Sequence, residues 1–127
     1  MKAILLSIKP KYVKQIIDGS KIYEYRKVIA KEKCEKILIY STYPVCKIVA
    51  SARIEKVLRG SPASLWENTK EYSGICYDGF MKYFDDKETA YAYKLSDVHT
   101  FDIPHNLCDY GIKKPPQSFL YINIKSI

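Results

Sequence analysis

Three charged side chains within residues 18–27, Lys21, Glu24 and Arg26, have the types and the spacing to bind a phosphate or a base. On a β-strand, Glu24 and Arg26 point to the same face, about 6.5 Å apart along the chain, and Lys21 precedes them at a turn. The two cations can donate to phosphate oxygens or to a base edge. The carboxylate can orient the guanidinium or accept a hydrogen bond from an amino group. The competing interpretation is a salt-bridge ladder on a solvated strand face.

The net charge of +7 is concentrated in the first half of the 127-residue chain. Residues 1–60 carry 14 Lys or Arg against 5 Asp or Glu, a balance of +9, whereas residues 61–127 carry 7 against 9, a balance of −2. A domain polarised in this way attracts polyanions by counterion release, so RNA is the expected partner and single-stranded DNA the second candidate. A lysine-rich surface that only maintains solubility is the alternative.

Five further residues of the basic half are candidates for nucleic-acid contacts. Tyr23 and Tyr25 can stack on unpaired bases, although most of the 12 tyrosines are expected in the core. Ser41 and Thr42 precede a proline in a loop where their hydroxyls can bind a phosphate, but ordinary turn chemistry explains them as well. Arg53 is a candidate for backbone contacts because the chain has only three arginines.

Length and composition favour a single domain over residues 1–127, with too little Gly and Pro for a disordered or collagen-like chain. No apolar run is long enough to cross a bilayer and no signal peptide is recognisable, which favours a cytoplasmic location and no membrane contact. The four cysteines are widely spaced and include no Cys-x-x-Cys, so reduced thiols are expected and no metal or cofactor is predicted. The best metal constellation, His105-x-x-Cys108 with Cys76 or His99, is weak.

The elements that must position Lys21, Glu24 and Arg26 follow from periodicity. Pro10 begins a short helix that Gly19 ends, and a Tyr-rich strand over residues 22–28 follows. Further strands are predicted over residues 2–8, 36–40, 45–57, 89–95 and 119–124. Two helices form an inserted hairpin: one begins at Ser61-Pro62, places Tyr72 on its inward face and ends at Gly74, and the other covers residues 77–84. Residues 97–116 are predicted to be irregular, with a helical turn at 106–110. Five or six short strands interrupted by helices indicate an α+β fold with a small curled sheet or barrel.

The spacing Gly19-x-Lys21-x-x-Glu24-x-Arg26 resembles the G-x-K-x-x-E-x-R signature of the ASCH domain family, within the PUA-like superfamily. The resemblance extends to Ser-Ile-Lys-Pro at 7–10, Tyr-Ser-Thr-Tyr-Pro at 40–44, Leu-Trp-Glu at 65–67 and Pro-Gln-Ser-Phe-Leu-Tyr at 116–121. It implies a PUA-like β-barrel with a cleft beside the first helix that holds RNA or a modified nucleotide. We therefore predict a nucleic-acid-binding module with a basic cleft.

A second function is implied by one branch of the same family, which resembles small amidohydrolases that deacylate modified cytidine nucleosides. That branch is described with a catalytic Lys, a Thr three residues later and a distant Glu. This chain has Lys21 but Glu24 in place of the Thr, and Glu71 is the counterpart of the distant acid. A carboxylate at position 24 would have to activate water as a general base, so hydrolysis ranks second to binding.

Overall fold

The computed structural model describes residues 2–124, which form six strands, three α-helices and two 3₁₀ turns. In chain order these are β1 (Lys2–Ile8), α1 (Pro10–Asp18), β2 (Tyr23–Arg26), β3 (Lys36–Ser41), β4 (Lys47–Gly60), α2 (Pro62–Thr69), a 3₁₀ turn (Lys70–Tyr72), α3 (Tyr77–Tyr83), β5 (Ala90–His105), a second 3₁₀ turn (Leu107–Tyr110) and β6 (Phe119–Asn123). No helix within residues 2–124 has the length and apolar character needed to span a membrane.

All six strands belong to one mixed sheet in the order β2-β5-β4-β3-β1-β6. The β1–β3 pair is parallel and the other pairs are antiparallel. The predicted α+β class, the six strands, the first helix and the helical insertion are confirmed. The ladder of backbone hydrogen bonds is not closed into a barrel, because β2 and β6 lie at its two ends.

The apolar runs of the strands are buried on both faces of the sheet. In β1, Ile4 and Leu6 face the cluster that receives α1, whereas Ala3 and Leu5 face a second cluster on the other side. A strand that is covered on both faces has a continuous apolar run rather than an alternating one. The first cluster packs α1 against β3 and β5, and β5 pairs with β2.

Helix α1 begins and ends at the residues that its sequence specifies. Pro10 occupies the first helical turn, and Gly19 adopts a left-handed conformation (φ 89°) with its N–H directed at the carbonyls of Gln15 and Ile16. Val13 and Ile16 are the residues of this helix that are buried in the core. The glycine turns the chain directly from the helix into Lys21 and β2.

The α2–α3 insertion covers a third cluster beside β2. Leu65 of α2, Phe80 of α3 and Phe84 just after α3 pack against Tyr25, with the Tyr25 and Phe80 ring centroids 4.9 Å apart in an edge-to-face arrangement. The predicted N-cap of α2 is present, because the Ser61 hydroxyl accepts a hydrogen bond from the Ser64 N–H (3.2 Å). This packing fixes α3 on one side of β2.

Two predictions about element boundaries were wrong. Helix α2 ends at Thr69, where the backbone leaves helical geometry (φ −129°), so Tyr72 is 49% exposed instead of facing inward. Residues 97–105 continue β5 instead of being irregular, because they pair with β4 as far as His105 opposite Ile48. Three register shifts and the left-handed backbone of Asp97 (φ 49°) obscure the alternation that a sequence reading relies on. The predicted helical turn after this strand is confirmed at Leu107–Tyr110.

Candidate functional site

A cleft of about 640 Å³ opens between the start of α1, β2 and α3. Its walls also include Gly74 and Ile75, which precede α3, and Gln117, which precedes β6. Among the described residues that line it are five cations, one carboxylate and four aromatic rings: Lys9, Lys11, Lys21, Arg26 and Lys82; Glu24; and Tyr12, Tyr25, Phe80 and Tyr83. The three signature side chains therefore reach one concave surface.

Lys21 lies in the wall of this cleft with only 3% of its surface exposed. Its Nζ donates a hydrogen bond to the Ser73 carbonyl oxygen (2.5 Å). The same nitrogen is 5.1 Å from the ring centroid of Tyr12 and 4.9 Å from that of Tyr25, within cation–π range of both. The ammonium is thus held between α1, β2 and the turn that precedes α3.

Burial lowers the pKa of the Lys21 ammonium to about 8, because the charged form loses its water. The nearby Glu24 carboxylate opposes this shift, and the Arg26 guanidinium adds to it. A lysine of this kind exchanges its proton near neutral pH, whereas an exposed lysine does so above pH 10. Lys21 can therefore act as a cation or as a proton donor and acceptor.

Glu24 and Arg26 form a partly buried ion pair on the same face of β2, as their spacing predicts. The Nη2 and Nε atoms of Arg26 donate to the same carboxylate oxygen, Oε2, at 2.8 and 3.1 Å. The exposed fractions of the two side chains are 9% for Glu24 and 13% for Arg26. The other oxygen, Oε1, has no hydrogen-bond partner among residues 2–124 and is available to a ligand.

Arg26 also bridges the opening between the two ends of the sheet. Its Nη2 donates to the Ser7 carbonyl of β1 (2.8 Å), and its Nη1 donates to the Ser118 carbonyl just before β6 (3.3 Å). These bonds and the two to Glu24 use four of the five guanidinium N–H groups. Arg26 is therefore mainly a structural clamp that orients Glu24.

Comparisons with known proteins identify the family and the fold to which this cleft belongs. The family model described as a domain of unknown function, DUF365, matches residues 1–110. The crystal structure of ASCH from Zymomonas mobilis superposes with a TM-score of 0.87 at 27% identity, covering 95% of this chain and 87% of that one. A point mutant of the same protein gives a TM-score of 0.88 at 26% identity, covering 97% and 91%. The chain belongs to the DUF365 family and is an ASCH domain.

Curated relatives of this ASCH domain differ widely in name and length. A Zymomonas mobilis protein named ASCH domain-containing ribonuclease is 29% identical over 126 residues, covering 95% of this chain and 84% of the relative. Two Ureaplasma parvum proteins, named ATP synthase subunit alpha and large ribosomal subunit protein uL22, are 29% and 26% identical over 122 residues. The chain spans only 15% of the first and 39% of the second.

Five other predicted site residues of the ASCH domain lie outside the lining of the cleft. Ser41 is buried at the end of β3, and the Thr42 N–H donates to the Ile8 carbonyl (3.0 Å). Arg53 is exposed on β4, and Tyr23 packs partly buried against the third cluster. Glu71, the distant acid of the hydrolase alternative, is exposed in the first 3₁₀ turn. Lys21 and Glu24 are therefore the two members of that alternative that share the cleft.

Tyr25 lines the cleft, and its hydroxyl is fixed by α2. Its Oη lies 2.7 Å from the Thr69 Oγ1, which itself donates to the Leu65 carbonyl (2.7 Å), so Tyr25 is the donor. Burial raises the pKa of the Tyr25 hydroxyl to about 12, so it stays protonated. Tyr25 presents a ring to the cleft and to Lys21 instead of an ionisable oxygen.

Sequence reasoning missed the residues that complete the site from other elements. Tyr12 on α1 and Ser73 before α3 contact Lys21, and Lys82 and Tyr83 on α3 line the opposite wall. These residues are far from Lys21 in the sequence, so no local pattern groups them with it. In the sequence analysis, Gly74 was recognised only as the predicted end of a helix.

The described residues do not supply a metal centre. No group of three or more His, Cys, Asp or Glu side chains among residues 2–124 is placed to hold an ion. All four cysteines are free thiols; Cys34 is buried, and Cys76 lies exposed at the edge of the cleft. The cleft therefore offers Lys21, Glu24, the Cys76 thiol and hydrogen-bonding groups.

Proposed function

We propose that the cleft binds RNA, as an unpaired strand or as a modified nucleotide within it, and that this ASCH domain is a nucleic-acid-binding module. The observation that carries the proposal is the composition of the cleft, in which five cations and four aromatic rings surround one buried carboxylate. Cations attract the phosphates, and rings stack on bases that are not paired. The Zymomonas mobilis relative named ribonuclease supports RNA as the ligand rather than DNA.

Each part of the cleft has a separate role in this proposal. Lys9 and Lys11 at the start of α1 and Lys82 on α3 are exposed on its walls, where they can neutralise phosphates. The rings of Tyr12, which is partly buried, and Tyr83, which is exposed, can stack on a base. The Oε1 atom of Glu24 accepts a hydrogen bond from an amino group of that base. Arg26 acts through Glu24, because most of its own donors are already used.

A binding titration tests this proposal. Fluorescence anisotropy at low salt compares a short single-stranded RNA, the DNA of the same sequence and an RNA duplex. We expect the single-stranded RNA to bind most tightly, and Lys21→Ala to weaken its binding while Lys36→Ala, on β3 outside the cleft, has little effect. The absence of any RNA binding at low salt would show that the proposal is wrong.

Hydrolysis in the same cleft is a second candidate function. The observation in its favour is that Lys21, with a pKa of about 8, and Glu24, whose Oε1 has no hydrogen-bond partner among residues 2–124, both line the cleft. On RNA, Glu24 would take the proton of a 2′-hydroxyl as that oxygen attacks phosphorus, and Lys21 would return a proton to the departing 5′-oxygen. On an acylated cytidine, Glu24 would take a proton from the attacking water and Lys21 would protonate the leaving amine.

Mass spectrometry separates the two functions. The protein is incubated with single-stranded RNA and with a panel of acylated cytidines, and the products are measured for the wild type and Glu24→Gln. Hydrolysis predicts turnover that falls about 100-fold or more in Glu24→Gln while ligand affinity is unchanged. Binding without turnover by the wild type would leave the binding module as the function.

A further inference from the structure

Gly74 occupies a position where the structure has no room for a side chain. Its backbone is left-handed (φ +70°). A Cβ atom built at this residue would lie 2.7 Å from the Lys21 Cδ, 2.9 Å from the Lys21 Cβ and 2.7 Å from the Gln15 Oε1. Real Cβ atoms essentially never approach other heavy atoms this closely, so at least one neighbour would have to move.

The turn that contains Gly74 is fixed on both sides. Before it, the Tyr72 carbonyl accepts a hydrogen bond from the Ile22 N–H (3.0 Å), which ties the turn to the start of β2. Within it, the Ser73 hydroxyl donates to the Ile75 carbonyl (2.9 Å). The Ser73 carbonyl then faces the Lys21 Nζ. The turn therefore cannot easily withdraw from Lys21 when a side chain is added at position 74.

We propose that Gly74 is the positioning residue of Lys21: the missing side chain lets the turn lie against the lysine stem and hold its Nζ on the Ser73 carbonyl. The carboxamide oxygen of Gln15, which is buried without a hydrogen-bond partner among residues 2–124, also lies too close to the position of a Cβ at residue 74 to leave room for it. Lys21 lies in the proposed RNA site, so any effect of Gly74 on RNA binding rests on the proposed function. The effect of Gly74 on the position of the Lys21 side chain does not.

Adding a Cβ at position 74 should push the Lys21 stem outward and break the bond to Ser73. The ammonium would then regain water, and the burial that lowers its pKa would be lost. The charged and titratable groups that line the cleft with Lys21 come from the elements around it: Glu24, Arg26 and Tyr25 from β2, Tyr12 with Lys9 and Lys11 from α1 and its start, Cys76 just before α3, and Lys82 and Tyr83 from α3. None of them is substituted in this variant.

The titration of Lys21 itself is the readout. Reductive ¹³C-methylation labels the lysines of the intact protein, the Lys21 signal is assigned by its absence in Lys21→Arg, and its chemical shift is followed with pH. In the wild type we expect a midpoint near 8. In Gly74→Ala we expect the midpoint to rise by about one unit or more, towards the value of an exposed lysine.

Gly111→Ala is the matched control. Gly111 has nearly the same backbone conformation (φ +71°), and a Cβ there would meet no atom within 4 Å. It imposes the same left-handed strain on an alanine without touching the site. We expect the Lys21 midpoint in Gly111→Ala to equal that of the wild type. An unchanged midpoint in Gly74→Ala would overturn the proposal.

A second pair of variants covers the case in which Gly74→Ala does not fold. Asn tolerates left-handed backbone better than Ala, so Gly74→Asn and Gly111→Asn carry less strain but still add the Cβ. A raised midpoint in the former and not in the latter supports the inference, and equal midpoints overturn it. If the wild type binds no RNA while the midpoint still shifts in Gly74→Asn, the proposed function fails and the positioning role of Gly74 stands.

Discussion

Arg26 places two N–H groups, from Nη2 and Nε, on one oxygen of Glu24, a cleft-lining residue whose other oxygen has no hydrogen-bond partner among residues 2–124. A guanidinium used in this way fixes the direction of the carboxylate, and four of its five N–H groups are already used within the protein. The pair thus presents a single acceptor at a fixed position, beside a buried lysine that supplies donors.

Glu24→Gln should weaken RNA binding by about 1.5–3 kcal/mol, the range for hydrogen bonds to charged groups. The amide oxygen can still accept from Arg26, but the amide nitrogen then faces the cleft and offers a donor where the ligand needs an acceptor. Fluorescence anisotropy measures the change.

The control for this prediction is Glu55→Gln on β4, which removes a surface ion pair with Lys94 (2.9 Å) outside the lining of the cleft. It should change the affinity by less than about 0.5 kcal/mol. Equal losses in the two variants would mean that Glu24 acts only through the net charge of the protein.

Arg26→Lys should lower the free energy of unfolding by about 1.5–3 kcal/mol. A lysine keeps the charge beside Glu24, but it cannot bond simultaneously to Glu24 and to the carbonyls of Ser7 and Ser118. The link between β2 and the opposite end of the sheet is then lost. Urea unfolding followed by circular dichroism measures the loss.

Arg53→Lys provides the comparison, because Arg53 is exposed on β4 and should tolerate the same change within about 0.5 kcal/mol. If the two variants unfold at the same urea concentration, the bonds across the opening contribute nothing to stability.

The difference between these two arginines marks the limit of what the sequence predicted. The two-residue spacing of Glu24 and Arg26 was enough to place them on one face of a strand, and Gly19 was enough to end α1 beside them. The backbone acceptors of Arg26 are carbonyls 19 and 92 residues away, and the acceptor of Lys21 is a carbonyl 52 residues away. A carbonyl is present in every residue, so composition and periodicity carry no information about which one is used.

The same limit explains the residues that were predicted for the site but lie elsewhere. Ser41, Thr42 and Arg53 have suitable chemistry in the basic half of the chain, but none of them lines the cleft. Ser41 ends β3 opposite Ile8, which does line the cleft, but the Ser41 side chain is buried. Arg53 is exposed on β4, and the strand order puts β5 between β4 and β2. That order depends on non-local pairing, such as the parallel β1–β3 pair, that a local pattern does not encode.

The stability of the protein should rise with pH between about 8 and 10.5 relative to Lys21→Met. The folded pKa of Lys21 is about 8 and its ordinary value is 10.5, so in this window the unfolded chain holds a proton that the folded chain has released. Below pH 8 both states are protonated, and the cost of burying the ammonium is present in full. The upper bound of the effect is ~3 kcal/mol, at 1.36 kcal/mol per pH unit.

Urea titrations of the wild type and Lys21→Met at several pH values test this linkage. Tyr25, whose pKa is raised to about 12, destabilises both proteins equally at high pH and cancels in the difference. A constant difference between pH 7 and pH 10 would show that Lys21 titrates as an ordinary exposed lysine.

The exposed lysines at the cleft should determine the salt dependence of RNA binding. For a single strand, each neutralised phosphate contributes about 0.7 to the slope of log K against log salt concentration. Lys9→Gln, Lys11→Gln and Lys82→Gln each remove one exposed cation from the cleft walls and should each lower the slope by about that amount.

The controls are Lys36→Gln and Lys56→Gln, on β3 and β4 outside the lining of the cleft. They remove the same charge and should leave the slope nearly unchanged. Anisotropy titrations over a range of KCl concentrations give the slopes. Equal reductions for all five variants would indicate diffuse attraction by the basic half of the chain and would contradict a strand bound across the cleft.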